Sequence, residues 1–131
     1  IKYFNKKPNF AILGLNPHNY SHLKKYRKEI IINKAIKNLK KLRIKVDGPI
    51  SPDTSFMIFK EKKIDVIIGM YHDQVLTPFK ALFKFNAINI TLGLSFLRTS
   101  PDHGVAENIV AKKKANPESL TESIKFFNHI N

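Results

Sequence analysis

Val66-Ile67-Ile68-Gly69-Met70 runs straight into Tyr71-His72-Asp73-Gln74-Val75-Leu76-Thr77-Pro78-Phe79-Lys80. The first five residues are apolar, without alternation and with β-branched members, the pattern of a buried strand in an α/β sheet. The run then stops on groups that bind metals, accept protons or bind anions. Ligands of open α/β sheets sit beyond the carboxyl ends of the strands. The His72-Asp73-Gln74 cluster therefore stands where a functional site belongs. A turn whose histidine only hydrogen-bonds the backbone explains the same residues, and the stretch by itself does not choose.

A second continuous apolar run, Asn9-Phe10-Ala11-Ile12-Leu13-Gly14-Leu15, reads as another buried strand and stops at Asn16-Pro17-His18. Asn-Pro is a turn signal. His18, like His72, thus follows the end of a buried strand; two histidines at the same topological place carry more weight than one. Between the runs, Ile32, Ala35, Ile36, Leu39 and Leu42 recur at helical spacing, which predicts an amphipathic helix over 26–43 with its lysines on the solvated face. Ile44-Lys45-Val46 reads as a short strand entering a turn at Asp47-Gly48-Pro49. Ser51 before Pro52 reads as an N-cap with Pro at the first helical position, and Asp53 in the first turn suits the helix dipole. The alternative places Asp53 on the same crevice as the two histidines.

Downstream, residues 75–85 read as a helix, residues 87–93 as a strand, and residues 94–104 as a polar-ended loop. Asn89 interrupts the strand-like run, and an amide there costs stability unless it finds partners. A last helix opens at Pro117-Glu118, with Leu120, Ile124 and Phe127 on one face. Strands alternating with helices make the fold α/β.

The chain has 131 residues, the size of one ordinary domain. It has no cysteine, so no disulfide or thiolate chemistry, which suits a cytoplasmic protein. No apolar run approaches the roughly 18 residues of a transmembrane helix, so no membrane partner is expected. The formal net charge of +13 raises nucleic-acid binding as a reading from another functional class. Against it, only Arg27, Arg43 and Arg98 are arginines, the preferred residue for bidentate phosphate and base contacts. The lysines are spread along the chain, as an A/T-rich codon bias would spread them.

Four segments, in order, carry a resemblance. They are Gly14-Leu15-Asn16-Pro17-His18; Gly48-Pro49-Ile50-Ser51-Pro52-Asp53-Thr54; Met70-Tyr71-His72-Asp73-Gln74; and Asn89-Ile90-Thr91-Leu92-Gly93-Leu94 running on to Arg98-Thr99-Ser100 and Asp102-His103-Gly104. Together they resemble the 4-hydroxythreonine-4-phosphate dehydrogenase family of pyridoxal phosphate biosynthesis over nearly the whole chain. Members are much longer, so residues 1–131 are expected to correspond to the C-terminal portion, with the N-terminal half absent. The resemblance implies an isocitrate/isopropylmalate dehydrogenase-like, two-domain α/β/α fold, and a homodimer with its active site between subunits. It implies oxidation of 4-phosphooxy-L-threonine with NAD or NADP at a divalent metal (zinc, magnesium, manganese or cobalt). Decarboxylation then gives 3-amino-2-oxopropyl phosphate.

By the same resemblance His18 and His72 are metal ligands, His72 reaching across the dimer. Asp53 and Asp73 become carboxylates that orient an imidazole. Lys80, Asn89 and Arg98 bind the substrate's phosphate and carboxylate. The segment from Asp102 to Asn116 resembles a cofactor loop, with His103, Gly104, Ala106 and Asn116 near the adenine end. The chain departs from the family pattern in residues 19–25, at Val75, and at Ala111 and Lys113, where glycines are expected. Lys112-Lys113-Lys114 read most simply as a solvated run, with the extra phosphate of NADP as the alternative partner. A related dehydrogenase acting on another phosphorylated hydroxy acid shares all of these features.

Overall fold

The two continuous apolar runs become neighbouring strands in a computed structural model that describes residues 6–17 and 27–128. β1 (Phe10–Leu13) lies between β2 (Val46–Ile50) and β3 (Val66–Ile68), parallel to both. The architecture is mixed α/β, in two compact units, residues 1–78 and 79–131, which are described separately.

In the first unit β1 is the central strand, and Ala11, Ile12 and Leu13 are buried. β3 was expected to be buried too. Among the described residues it is a sheet edge instead, paired with β1 alone; Val66 and Ile67 are half-buried and Ile68 is exposed. α1 (Arg27–Lys41) supplies Ile32 and Ile36 to a core shared with Ile12 and Val46, with Leu39 partly buried against it, whereas Ala35 and Leu42 face solvent. The helix stops where Arg43 turns left-handed (φ 58°), its N–H bonding Lys40 O while the Ile44 N–H bonds Leu39 O. Those two bonds make a Schellman cap on a residue that is usually glycine. Lys63 (φ 52°) ends the turns after α2 (Pro52–Ile58) in the same way, with bonds to Lys60 O and Phe59 O.

Asp47-Gly48-Pro49, expected to be a turn, lies inside β2. The pairing slips there: Ala11 faces Asp47, but Leu13 faces Ile50, so β2 carries an extra residue as a bulge. Gly48 permits it, with φ at 144° and space for no Cβ, which would lie 2.6 Å from Ile12 O. At the other end of the sheet, Asp65 Oδ2 accepts the Asn9 N–H at 2.9 Å and Oδ1 meets Lys6 Nζ at 2.9 Å. The Asn9 bond first, and Lys6 after it, hold this carboxyl below its ordinary value.

α3 (His72–Phe83) begins at His72, earlier than the sequence pattern suggests, so His72 and Asp73 form its first turn rather than a loop. In the second unit β4 (Ile88–Thr91) pairs antiparallel with β5 (Arg98–Pro101), a strand inside the segment expected to be loop. Asn89 is exposed, so its amide is solvated. α4 (Glu118–Asn128) packs on this ribbon in an unexpected orientation. Ser119 and Ser123 are buried, while Leu120, Ile124 and Phe127 are exposed. The backbones approach closely there, and only small side chains fit: Ser119 Oγ donates to Ala87 O at 2.6 Å and accepts the Asp102 N–H at 2.9 Å.

Gly69 leaves the room that the Val75 side chain needs. A Cβ on Gly69 would lie 2.7 Å from Val75 Cγ1. Gly69→Ala is expected to cost about 1–3 kcal/mol through this overpacking. Val75→Ala in the same chain should restore most of it, as urea denaturation of the single and double variants would show. Equal stability of Gly69→Ala and wild type would contradict the packing.

Candidate functional site

Because β1, β2 and β3 are parallel, the segments that leave their carboxyl ends share one sheet edge. These are Gly14–Pro17, Ser51–Asp53 and Gly69–Asp73. Three side chains from the other motifs hold the first of them. Gln74 Nε2 donates to Gly14 O at 3.0 Å, Tyr71 Oη to Leu15 O at 3.1 Å, and Ser51 Oγ lies 2.5 Å from Pro17 O. Gln74 Oε1 also accepts the Met70 N–H at 2.7 Å, so one carboxamide joins the ends of β1 and β3.

Asp53 and Asp73 both lie at this edge. Asp53 Oδ1 is 2.7 Å from Ser51 Oγ. That hydroxyl has one proton and two acceptors, Pro17 O and Asp53, and it makes no cap bond to the α2 backbone. The expected capping role of Ser51 is thus replaced by a tie between segments. Asp73 Oδ1 is 2.8 Å from His72 Nδ1, and both side chains are exposed. With Nδ1–H donating to the carboxylate, the neutral imidazole presents its Nε2 lone pair outward, an arrangement common to metal-bound histidines. His18 and the altered loop after it lie outside the described residues. Among the described residues no three His, Asp or Glu side chains converge on one point. A metal bound at His72 would therefore need ligands from outside the described residues.

The second unit contains a cavity of about 980 Å³. His103, Gly104, Ala106 and Asn116, the residues expected near the cofactor, all line it, together with Lys80, Asp102 and Ser119. Lys80 Nζ lies 3.6 Å from Asp102 Oδ2, an ion pair too long for a hydrogen bond, and that buried oxygen has no hydrogen-bond partner among the described residues. Asn89 and Arg98, grouped with Lys80 by the sequence, do not line the cavity. They share a face of the β-ribbon instead, since Asn89 pairs with Ser100 and Thr91 with Arg98. Both are exposed, and Arg98 Nη1 donates to Thr91 Oγ1 at 2.8 Å, which fixes the guanidinium on that face.

The cavity wall explains the expected glycines. Ala106, Ala111 and Lys113 have φ of 52°, 61° and 52°. The backbone at 111 and 113 is left-handed, which glycine adopts without cost and other residues do not. A cavity of this size with apolar walls and several cations suits a dinucleotide.

Residues 2–127 match the family described as pyridoxal phosphate biosynthetic protein PdxA. The chain belongs to the PdxA family. It is 45% identical over 121 residues to a 4-hydroxythreonine-4-phosphate dehydrogenase of Sulfurihydrogenibium sp., covering 91% of this chain and 37% of the relative. A D-threonate 4-phosphate dehydrogenase of Pectobacterium atrosepticum is 40% identical over 119 residues, covering 90% of this chain and 36% of that one. The crystal structure of 4-hydroxythreonine-4-phosphate dehydrogenase from Klebsiella pneumoniae superimposes with a TM-score of 0.80 at 38% identity, covering 98% of this chain and 39% of that one. The chain thus spans about two-fifths of the length of these PdxA relatives.

Gln74, read from the sequence as a member of the candidate His72-Asp73-Gln74 cluster, is a positioning residue. Ser119 is a positioning residue to which the sequence assigned no role. It gives no signal there, because a serine in a helix reads as a surface residue. Ser119→Ala is expected to destabilise the protein by about 1–3 kcal/mol, since it leaves the Asp102 N–H and the Ala87 carbonyl short of a partner. Chemical denaturation would measure the loss, and a change below about 0.5 kcal/mol would contradict the clamp.

Proposed function

We propose that the full-length gene product oxidises 4-phosphooxy-L-threonine with NAD or NADP at a divalent metal, and that the β-keto acid so formed decarboxylates to 3-amino-2-oxopropyl phosphate. The observation that carries this reading is the His72–Asp73 pair at the carboxyl edge of a parallel sheet in a PdxA family chain. The residues described here correspond to the C-terminal portion of an isocitrate/isopropylmalate dehydrogenase-like fold, and the working unit is a homodimer. The exposure of His72 suits a ligand that reaches a site completed by another subunit.

The chemistry divides among named groups. A divalent metal held by His72 and His18 would supply a Lewis acid that lowers the pKa of the substrate hydroxyl and polarises the carbonyl as it forms. His72 offers Nε2 to it and His18 a second imidazole, with Asp73 fixing the His72 ring through Nδ1. Asp53, tied to the same edge through Ser51, is the second carboxylate available to orient a ligand or accept a proton. Arg98 and Asn89 present donors on one exposed face to substrate anions, and Lys80 adds a cation held by Asp102. Oxidation removes a hydride from the carbinol carbon and the proton from its hydroxyl. Loss of carbon dioxide then leaves an enol that takes up a proton to give the ketone. His103, Gly104, Ala106 and Asn116 hold the dinucleotide.

One relative favours a second reading. A D-threonate 4-phosphate dehydrogenase is nearly as similar as the 4-hydroxythreonine-4-phosphate enzymes, so the metal and cofactor machinery is compatible with a phosphorylated hydroxy acid that lacks the amine. NAD(P)H formation by the full-length gene product, with each of the two substrates, tests both readings. Metal-dependent turnover of 4-phosphooxy-L-threonine, abolished by a chelator, is expected. Asp73→Asn should lower metal affinity or activity about 10- to 100-fold, and His72→Ala further. Turnover of D-threonate 4-phosphate alone would favour the second reading. Chelator-insensitive turnover would contradict the metal assignment.

A further inference from the structure

We propose that Lys113 and Lys114 make the cavity of the second unit select a nicotinamide dinucleotide that carries an extra phosphate on its adenosine ribose 2′-oxygen. This rests on the reading that the cavity holds a dinucleotide. Four lysines line it, Lys80, Lys84, Lys113 and Lys114, against one carboxylate, Asp102. That carboxylate is paired with Lys80. Dinucleotide sites that prefer an unphosphorylated ribose commonly offer an acidic side chain to its 2′-hydroxyl, whereas those that take a 2′-phosphate offer a cation. No uncommitted acid lines this cavity, and three further cations do.

The three-lysine run is not uniform. Lys112 does not line the cavity; its Nζ donates to Asn108 O at 2.7 Å. Lys113 and Lys114 do line it, beside the apolar Val110 and Ala111. Lys113 does so from a left-handed backbone (φ 52°) that glycine would adopt without cost. A phosphate monoester carries close to two negative charges at neutral pH and is met well by paired ammonium groups.

Binding of adenosine 2′,5′-bisphosphate and adenosine 5′-monophosphate to the full-length gene product, measured calorimetrically without substrate, tests this. The bisphosphate should bind roughly tenfold more tightly, as expected for two ammonium groups on a partly screened phosphate. Lys113→Gln with Lys114→Gln should reduce that preference to about twofold or less while leaving monophosphate affinity in place. Lys112→Gln should keep the preference. Equal affinities in the wild type, or a preference that survives the double substitution, would overturn the proposal. Binding of neither nucleotide would overturn it together with the dinucleotide reading of the cavity. If 4-phosphooxy-L-threonine is not turned over while the bisphosphate preference holds, the reaction assignment fails and this proposal stands.

Discussion

One carboxamide, that of Gln74, joins two strand ends that the sequence keeps far apart. Its Nε2 bonds the last turn of backbone after β1 and its Oε1 bonds the backbone after β3. A side-chain amide with both ends on backbone groups has its polar atoms satisfied and little freedom left, and such networks fix geometry more firmly than their pairwise strengths suggest. Tyr71 and Ser51 add bonds to the same short segment, at Leu15 and Pro17. Three motif segments therefore share one edge because residues adjoining the acids and the histidine fasten them there. In this arrangement Gln74, Tyr71 and Ser51 position the edge that carries His72, Asp73 and Asp53.

The fold was legible where burial alone decides it. The run at 9–15 became the central strand because both of its neighbours and α1 cover it. The apolar run at 66–70 has the same composition yet lies at an edge, and composition does not encode the number of partners. β2 was misread because Gly48 and Pro49 normally punctuate strands. Here they form a bulge, and the nearness of the Ile12 carbonyl, remote in sequence, leaves no room for a Cβ at Gly48. α4 forms where its pattern places it, and the pattern leaves open which face packs inward. Helical periodicity in Leu120, Ile124 and Phe127 identifies an apolar face, but the close approach of Ala87 and Asp102 selects serines for the inner face.

The candidate site was legible in its residues more than in its grouping. His103, Gly104, Ala106 and Asn116 do line one cavity, and Asp73 does meet His72. Lys80 was grouped with Asn89 and Arg98 by a shared affinity for anions, whereas the structure groups it with the cavity through Asp102. Residue type carries charge but not direction, and direction comes from strand parity and helix phase. The same holds for the lysine run at 112–114, where the Lys112 ammonium turns to a carbonyl and residues 113 and 114 line the cavity.

The central claim is that the sheet edge held by Gln74 presents His72 to a metal. Anomalous X-ray scattering from crystals of the full-length gene product grown with zinc measures this most directly. A peak about 2.0–2.1 Å from His72 Nε2, with Asp73 on Nδ1, is the predicted result. A well-occupied zinc elsewhere, with His72 Nε2 bonded only to water or protein, would contradict it.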